Sequence, residues 1–195
     1  MAGILVCVVG PSGAGKDTLI AGARKALEDD DHFVFPRRIV TRQPSEAEDH
    51  DTLPPERFAT LREQGRFALS WDAHGLSYAI PGLVLDDLAG RRIAICNLSR
   101  RALGDARTRF PETRVVLVTA PRETLRSRIL ARGREDGVAV DRRLDREAAM
   151  TNLPVDCTIS NTGAVETHVG EFVAFLRGLT ADRAPEPFAL GRFAS

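Results

Sequence analysis

Lysine is nearly absent from this 195-residue sequence: only Lys16 and Lys25 occur, so 25 of the 27 basic residues are arginine. GC-rich arginine codons account for the bulk of that bias, which makes the places that kept lysine the informative ones. Net charge is lacking too, with 27 acidic residues against the 27 basic ones. That balance excludes the global basicity on which non-specific nucleic-acid binding depends. Long apolar runs are missing. Ile4 to Val9 falls far short of the ~20 residues of a membrane span, and no basic stretch precedes it as a signal peptide requires. Cysteine is sparse: Cys7, Cys96 and Cys157 form no C-x-x-C pair, and each sits in or beside an apolar run, as reduced buried thiols do. The four histidines show no metal-ligand spacing. These absences lead us to expect a reduced, cytoplasmic protein with no nucleic-acid or membrane partner; a homodimer stays open. What is present is a 43% hydrophobic share, enough for one core.

Five short β-branched-rich runs read as strands: Ile4 to Val9, Arg38 to Thr41, Arg92 to Cys96, Val115 to Thr119 and Cys157 to Ser160. Most are continuously apolar, the pattern of parallel strands covered on both faces. Helical spacing lies between them, as in Leu19, Ile20, Ala23, Leu27 and in Phe172, Val173, Leu176. The alternation predicts an α/β fold, a three-layer sandwich around a central parallel sheet. Residues 43–81, rich in Pro and charge, break the rhythm and read as an inserted subdomain over the carboxyl ends of the strands. Residues 181–195 read as a tail.

Gly10-Pro11-Ser12-Gly13-Ala14-Gly15-Lys16-Asp17-Thr18 follows the first strand and opens the first helix. There a G-x-x-x-x-G-K loop has a mechanical reason. Its glycines let backbone N–H groups wrap a phosphate, the helix N-terminus adds positive potential, and the lysine reaches the β and γ oxygens. One position departs from the common pattern, which places Ser or Thr after the lysine to hold Mg²⁺. Asp17 stands there, either as a Mg²⁺ ligand or as a charge at the helix N-terminus. Thr18 follows as a candidate phosphate contact. Between Arg122 and Arg146 lie eight arginines, with Arg128 and Arg132 on one helix face and Gly133 beyond as a hinge. They read either as a lid or as a solvated face.

The string Gly10 to Lys16 resembles the start of a guanylate kinase. The likeness continues at Thr41-Arg42, Glu48-Asp49-His50, His74 to Tyr78, Arg128 to Gly133 and Arg142-Arg143-Leu144, over roughly residues 4–178. The resemblance implies a kinase domain over residues 1–180, using ATP and Mg²⁺, with an acceptor-binding part at 43–81 and an arginine lid at 122–146. It implies that Arg42 and Tyr78 grip the acceptor's phosphate and that Arg132 and Arg143 act catalytically beside Lys16. Arg128 and Asn161 would complete the ATP site.

The departures from that family redirect the acceptor site. Ser70 and Asn97 stand where guanylate kinases carry the acidic residues that read guanine, and Arg38 replaces a serine. A site without those partners discriminates guanine poorly, and an added guanidinium suits a second phosphate. The sequence is similar to the branch of ribose 1,5-bisphosphate phosphokinases, at Arg37 to Arg42, Phe67 to Trp71 and Ser99-Arg100 among others. That likeness implies ribose 1,5-bisphosphate as acceptor and 5-phospho-ribose 1-diphosphate as product, with Arg38, Arg42, Glu48, Asp49, His50, Tyr78 and Asn97 around it. A nucleoside monophosphate kinase is the alternative, and a non-catalytic module a more distant one.

Overall fold

The computed structural model describes residues 2–42, 50–73, 75–131, 137–148 and 154–181. Its central sheet holds β1 (Ile4–Val9), β2 (Phe33–Val34), β7 (Ile93–Asn97), β8 (Thr113–Thr119) and β9 (Cys157–Ser160). The strands run parallel in the order β2-β7-β1-β8-β9. The apolar continuity of β1 has a direct cause. Side chains alternate across a strand, so Ile4, Val6 and Val8 enter one core while Leu5, Cys7 and Val9 enter another. The β7 strand divides the same way, with Ile93 and Ile95 on one side and Ala94 and Cys96 on the other.

The first core is closed by α1 (Lys16–Ala26), α5 (Arg122–Leu130), α6 (Gly137–Ala148) and α7 (Val165–Ala181). They contribute Leu19, Ile20 and Ala23; Leu125 and Ile129; Val140 and Leu144; and Phe172, Val173 and Leu176. The second core lies under α3 (Val84–Ala89) and α4 (Leu103–Arg109), and it continues into a smaller sheet. That sheet has the order β4-β3-β6-β5, built from β3 (Arg38–Val40), β4 (His50–Thr52), β5 (Phe67–Ala73) and β6 (Leu76–Pro81). The helix α2 (Pro55–Glu63) covers it, with Phe58 against Phe67 at 4.7 Å between ring centroids.

Three expectations change. Arg38 to Thr41 is not a central strand: Arg38–Val40 pairs antiparallel with β6 in the smaller sheet, and the fifth central strand is Phe33–Val34. The inserted part therefore begins at Arg38, not at residue 43. Trp71 is core, in the cluster shared with β1 and β7. Cys7 and Cys96 are buried as expected, whereas Cys157 is half-buried. Among the described residues no helix is long and apolar enough to cross a membrane. The expected tail beyond Ala181 lies outside the described residues.

His168 ties the first turn of α7 to the loop after β9. Its Nε2 bonds the Thr162 carbonyl at 2.6 Å and its Nδ1 the Glu171 carboxylate at 3.1 Å. The hydrogen bond to Thr162, then that to Glu171, raises the ring's pKa above its ordinary 6.5. A raised folded-state pKa stabilises fully below the unfolded value and loses that contribution as pH rises through the folded value. His168→Gln should therefore lower Tm more at about pH 5.5 than at about pH 8.5. A gap between the two melting curves that does not change with pH would contradict this.

Candidate active site

The loop between β1 and α1 owes its path to backbone conformations that side chains rarely adopt. Gly10, Gly13 and Gly15 have φ of 147°, 79° and 87°. At Gly10 a Cβ would overlap the Val118 carbonyl, and at Gly15 it would overlap the Asn161 side chain. Lys16 folds back over the loop, its Nζ donating to the carbonyls of Gly10 at 2.9 Å and Pro11 at 3.0 Å. Pro11 and Ser12 are half-buried on the same turn, Ala14 is buried, and Thr18, the third residue of α1, faces solvent.

The loop is braced from behind. Asn161 is buried, receives its place from a backbone bond to Thr119 (2.7 Å), and donates from Nδ2 to the Ala14 carbonyl at 2.7 Å. Arg128, on α5, donates to the Gly13 carbonyl at 3.4 Å and the Asn161 carbonyl at 3.1 Å. Both residues predicted for the nucleotide side thus touch the loop, and their visible work is to hold its shape.

The smaller sheet faces α1 and the end of β7 across a cleft lined by Asp17, Arg24, Arg38 and Asn97 above the apolar Ile20, Ile80, Ile95 and Cys96. Arg38 leaves β3 with its guanidinium 5.9 Å from the Tyr78 ring centroid, and Tyr78 stacks on Trp71 at 5.6 Å. Asn97, at the carboxyl end of β7, donates from Nδ2 to Asp17 Oδ1 at 2.6 Å, and Arg38 Nη2 lies 4.0 Å from the same oxygen. The buried His50 meets Arg42 Nη2 through Nε2 at 3.4 Å. A guanidinium can only donate, so Nε2 accepts there and the proton of a neutral ring sits on Nδ1, 3.5 Å from Thr52 Oγ1. Thr41 and Ser77 exchange bonds at 3.0 Å and 2.9 Å, which fixes the chain just before Arg42. Burial pushes the Cys7 thiol up to about 12 and Cys96 well above its ordinary value, so neither serves as a nucleophile.

Asp17, Arg38 and Asn97 therefore line one cleft, with Tyr78 packed against Arg38, Lys16 folded over the phosphate loop, and Arg42 and His50 farther along the smaller sheet. Glu48, Asp49, His74 and Arg132 lie outside the described residues, and for Arg143 only the backbone, within α6, is described. Arg24 was not foreseen. It follows Asp17 by seven residues on α1, the spacing that returns a side chain to the same helix face, and that spacing was the available signal.

No family model matches the chain. In structure it is similar to the guanylate kinase of Anaplasma phagocytophilum, with a TM-score of 0.68 at 17% identity over 91% of this chain and 86% of that one. The fold is thus guanylate-kinase-like, with a phosphate loop at its head. In sequence the chain is 49% identical over 177 residues to the ribose 1,5-bisphosphate phosphokinase PhnN of Methylobacterium radiotolerans, covering 91% of this chain and 99% of the relative. To the PhnN of Bradyrhizobium diazoefficiens it is 42% identical over 175 residues, 90% of this chain and 88% of that protein. The chain belongs to the ribose 1,5-bisphosphate phosphokinase PhnN family, and is a kinase.

Removing the Arg128 brace leaves the carbonyls of Gly13 and Asn161 without their charged donor. Hydrogen bonds from a charged group contribute roughly 1.5–3 kcal/mol, so Arg128→Met should weaken nucleoside triphosphate binding about tenfold or more. Calorimetric titration measures this; unchanged affinity would remove the bracing role.

Proposed function

We propose that this protein transfers the γ-phosphoryl group of ATP to the C1 phosphate of ribose 1,5-bisphosphate, giving ADP and 5-phospho-α-D-ribose 1-diphosphate. The observation that carries the reading is the cleft between the smaller sheet and the helix that follows the phosphate loop. It presents Arg38 and Arg24 with Asn97, and Ser70 and Asn97 stand where the guanylate-kinase resemblance puts acidic guanine readers. The relatives named for this activity support it.

The glycine path of the loop and the N-terminus of α1 fit a triphosphate. On binding, Lys16 exchanges the Gly10 and Pro11 carbonyls for phosphate oxygens. Mg²⁺, when bound, supplies neutralisation of charge on the β and γ phosphates. Asn97 donates to Asp17 Oδ1 and the Arg38 guanidinium lies 4.0 Å from it, which engages that oxygen on the acceptor side and leaves only Oδ2 to meet a metal.

The acceptor's phosphate oxygen is ionised, so attack on the γ-phosphorus needs no general base. The chain's contribution is positioning and charge neutralisation in a loose, in-line transfer. Arg42 and Tyr78 hold the reacting phosphate, with His50 orienting Arg42, and Arg38 holds the second. The family resemblance assigns Glu48 and Asp49 to the acceptor as well. It assigns Arg132 and Arg143 to the charge on the transferring group.

A coupled ADP-release assay should show faster turnover of ribose 1,5-bisphosphate than of GMP; the reverse preference would contradict the reading. Arg38→Ser should raise the KM for the bisphosphate at least about tenfold while leaving that for ATP unchanged. Equal KM values in variant and parent would remove the second-phosphate role.

A further inference from the structure

Asp17 stands at the head of the ATP-side helix, yet its carboxylate is engaged on the other side. Oδ1 accepts from Asn97 at 2.6 Å and lies 4.0 Å from Arg38, and the three residues line one cleft with Arg24. Among the described lining residues Asp17 is the only acid. Its side chain keeps 38% of its surface exposed, so a ligand in the cleft can reach it.

The chemistry of these groups restricts what fits between them. Two guanidinium groups attract phosphate, whereas a carboxylate repels phosphate and can only accept hydrogen bonds. Asn97 must turn its amide NH₂ toward the carboxylate, which leaves its own Oδ1 as an acceptor beside Asp17 Oδ2. Two neighbouring acceptors between phosphate-binding cations call for a ligand with two adjacent O–H donors between its phosphates. The rest of the floor, Ile20, Ile80, Ile95 and Cys96, offers a hydroxyl no side-chain oxygen.

Resting on the activity proposed above, we infer that Asp17 is a specificity-determining residue of the acceptor site: with Asn97 it accepts the vicinal ring hydroxyls of the sugar. The residue that replaces the usual hydroxyl after the phosphate-loop lysine thereby reads the acceptor instead of the metal. An acceptor lacking one hydroxyl leaves a desolvated carboxylate or amide oxygen unpaired, which disfavours its transition state.

The test compares kcat/KM for ribose 1,5-bisphosphate and 2-deoxyribose 1,5-bisphosphate in the parent, in Asp17→Asn and in Asn97→Ala, each across a Mg²⁺ titration. The parent should prefer the ribose compound by roughly 10–100-fold. Asp17→Asn should reduce that preference to a few-fold, by losing activity on the ribose compound alone, with unchanged ATP KM and Mg²⁺ requirement. Asn97→Ala should move the ratio in the same direction. Unaltered preference in both variants with a raised Mg²⁺ requirement in Asp17→Asn would overturn the inference in favour of a metal ligand. Equal losses on both sugars would overturn it in favour of a structural role. Parent turnover of GMP with none of either sugar would overturn the activity itself, and the inference with it.

Discussion

Everything in this molecule hangs from a strand that is buried on both faces. Because β1 sends alternate side chains into two different cores, neither its register nor its end can shift without exposing one set of them. Its last residue, Val9, therefore delivers Gly10 to a fixed point at the carboxyl edge of the sheet. There the close approach to Val118 admits no side chain. The phosphate loop inherits its position from that constraint. Asn161, just beyond β9, and Arg128, on α5, then hold the loop's carbonyls.

The second structural decision is how cations are distributed. Net neutrality conceals a concentration of guanidinium groups near phosphate: Arg24 on α1, Arg38 and Arg42 on and beyond β3, Arg128 behind the loop. Arg24, Arg38 and Arg128 ride on α1, β3 and α5, so their mutual repulsion is resisted by packed elements. The single ammonium at this site belongs to Lys16, where a compact charge on an unbranched stem can move from loop carbonyls to phosphate oxygens. A planar fork would need a fixed bidentate partner at that point.

Local chemistry was legible in the sequence, and distant pairing was not. The loop from Gly10 to Lys16 declared itself because its glycines, lysine and flanking strand and helix are contiguous. Phe33–Val34 was invisible as a strand, since two residues carry no periodicity, while Arg38–Val40 looked central because a short β-branched run reads the same in either sheet. Asn97 and Asp17 were each singled out, but nothing in a chain of letters joins residues 80 positions apart. Their bond arises from the parallel pairing of β1 with β7, which brings both strand ends to one edge. Arg24 was hidden for a different reason: on an amphipathic helix, a basic residue beside buried neighbours reads as solvated until the smaller sheet closes over it.

In the proposed reaction the phosphoryl group joins an existing phosphate on the sugar, because the cleft offers phosphate-gripping arginines and no general base is needed. Phosphorus NMR of the reaction of ATP with ribose 1,5-bisphosphate tests it directly. The account predicts a new pair of mutually coupled diphosphate resonances attached at C1, with the C5 monophosphate signal unchanged. A diphosphate at C5, or ATP consumed only when GMP is supplied, would contradict it.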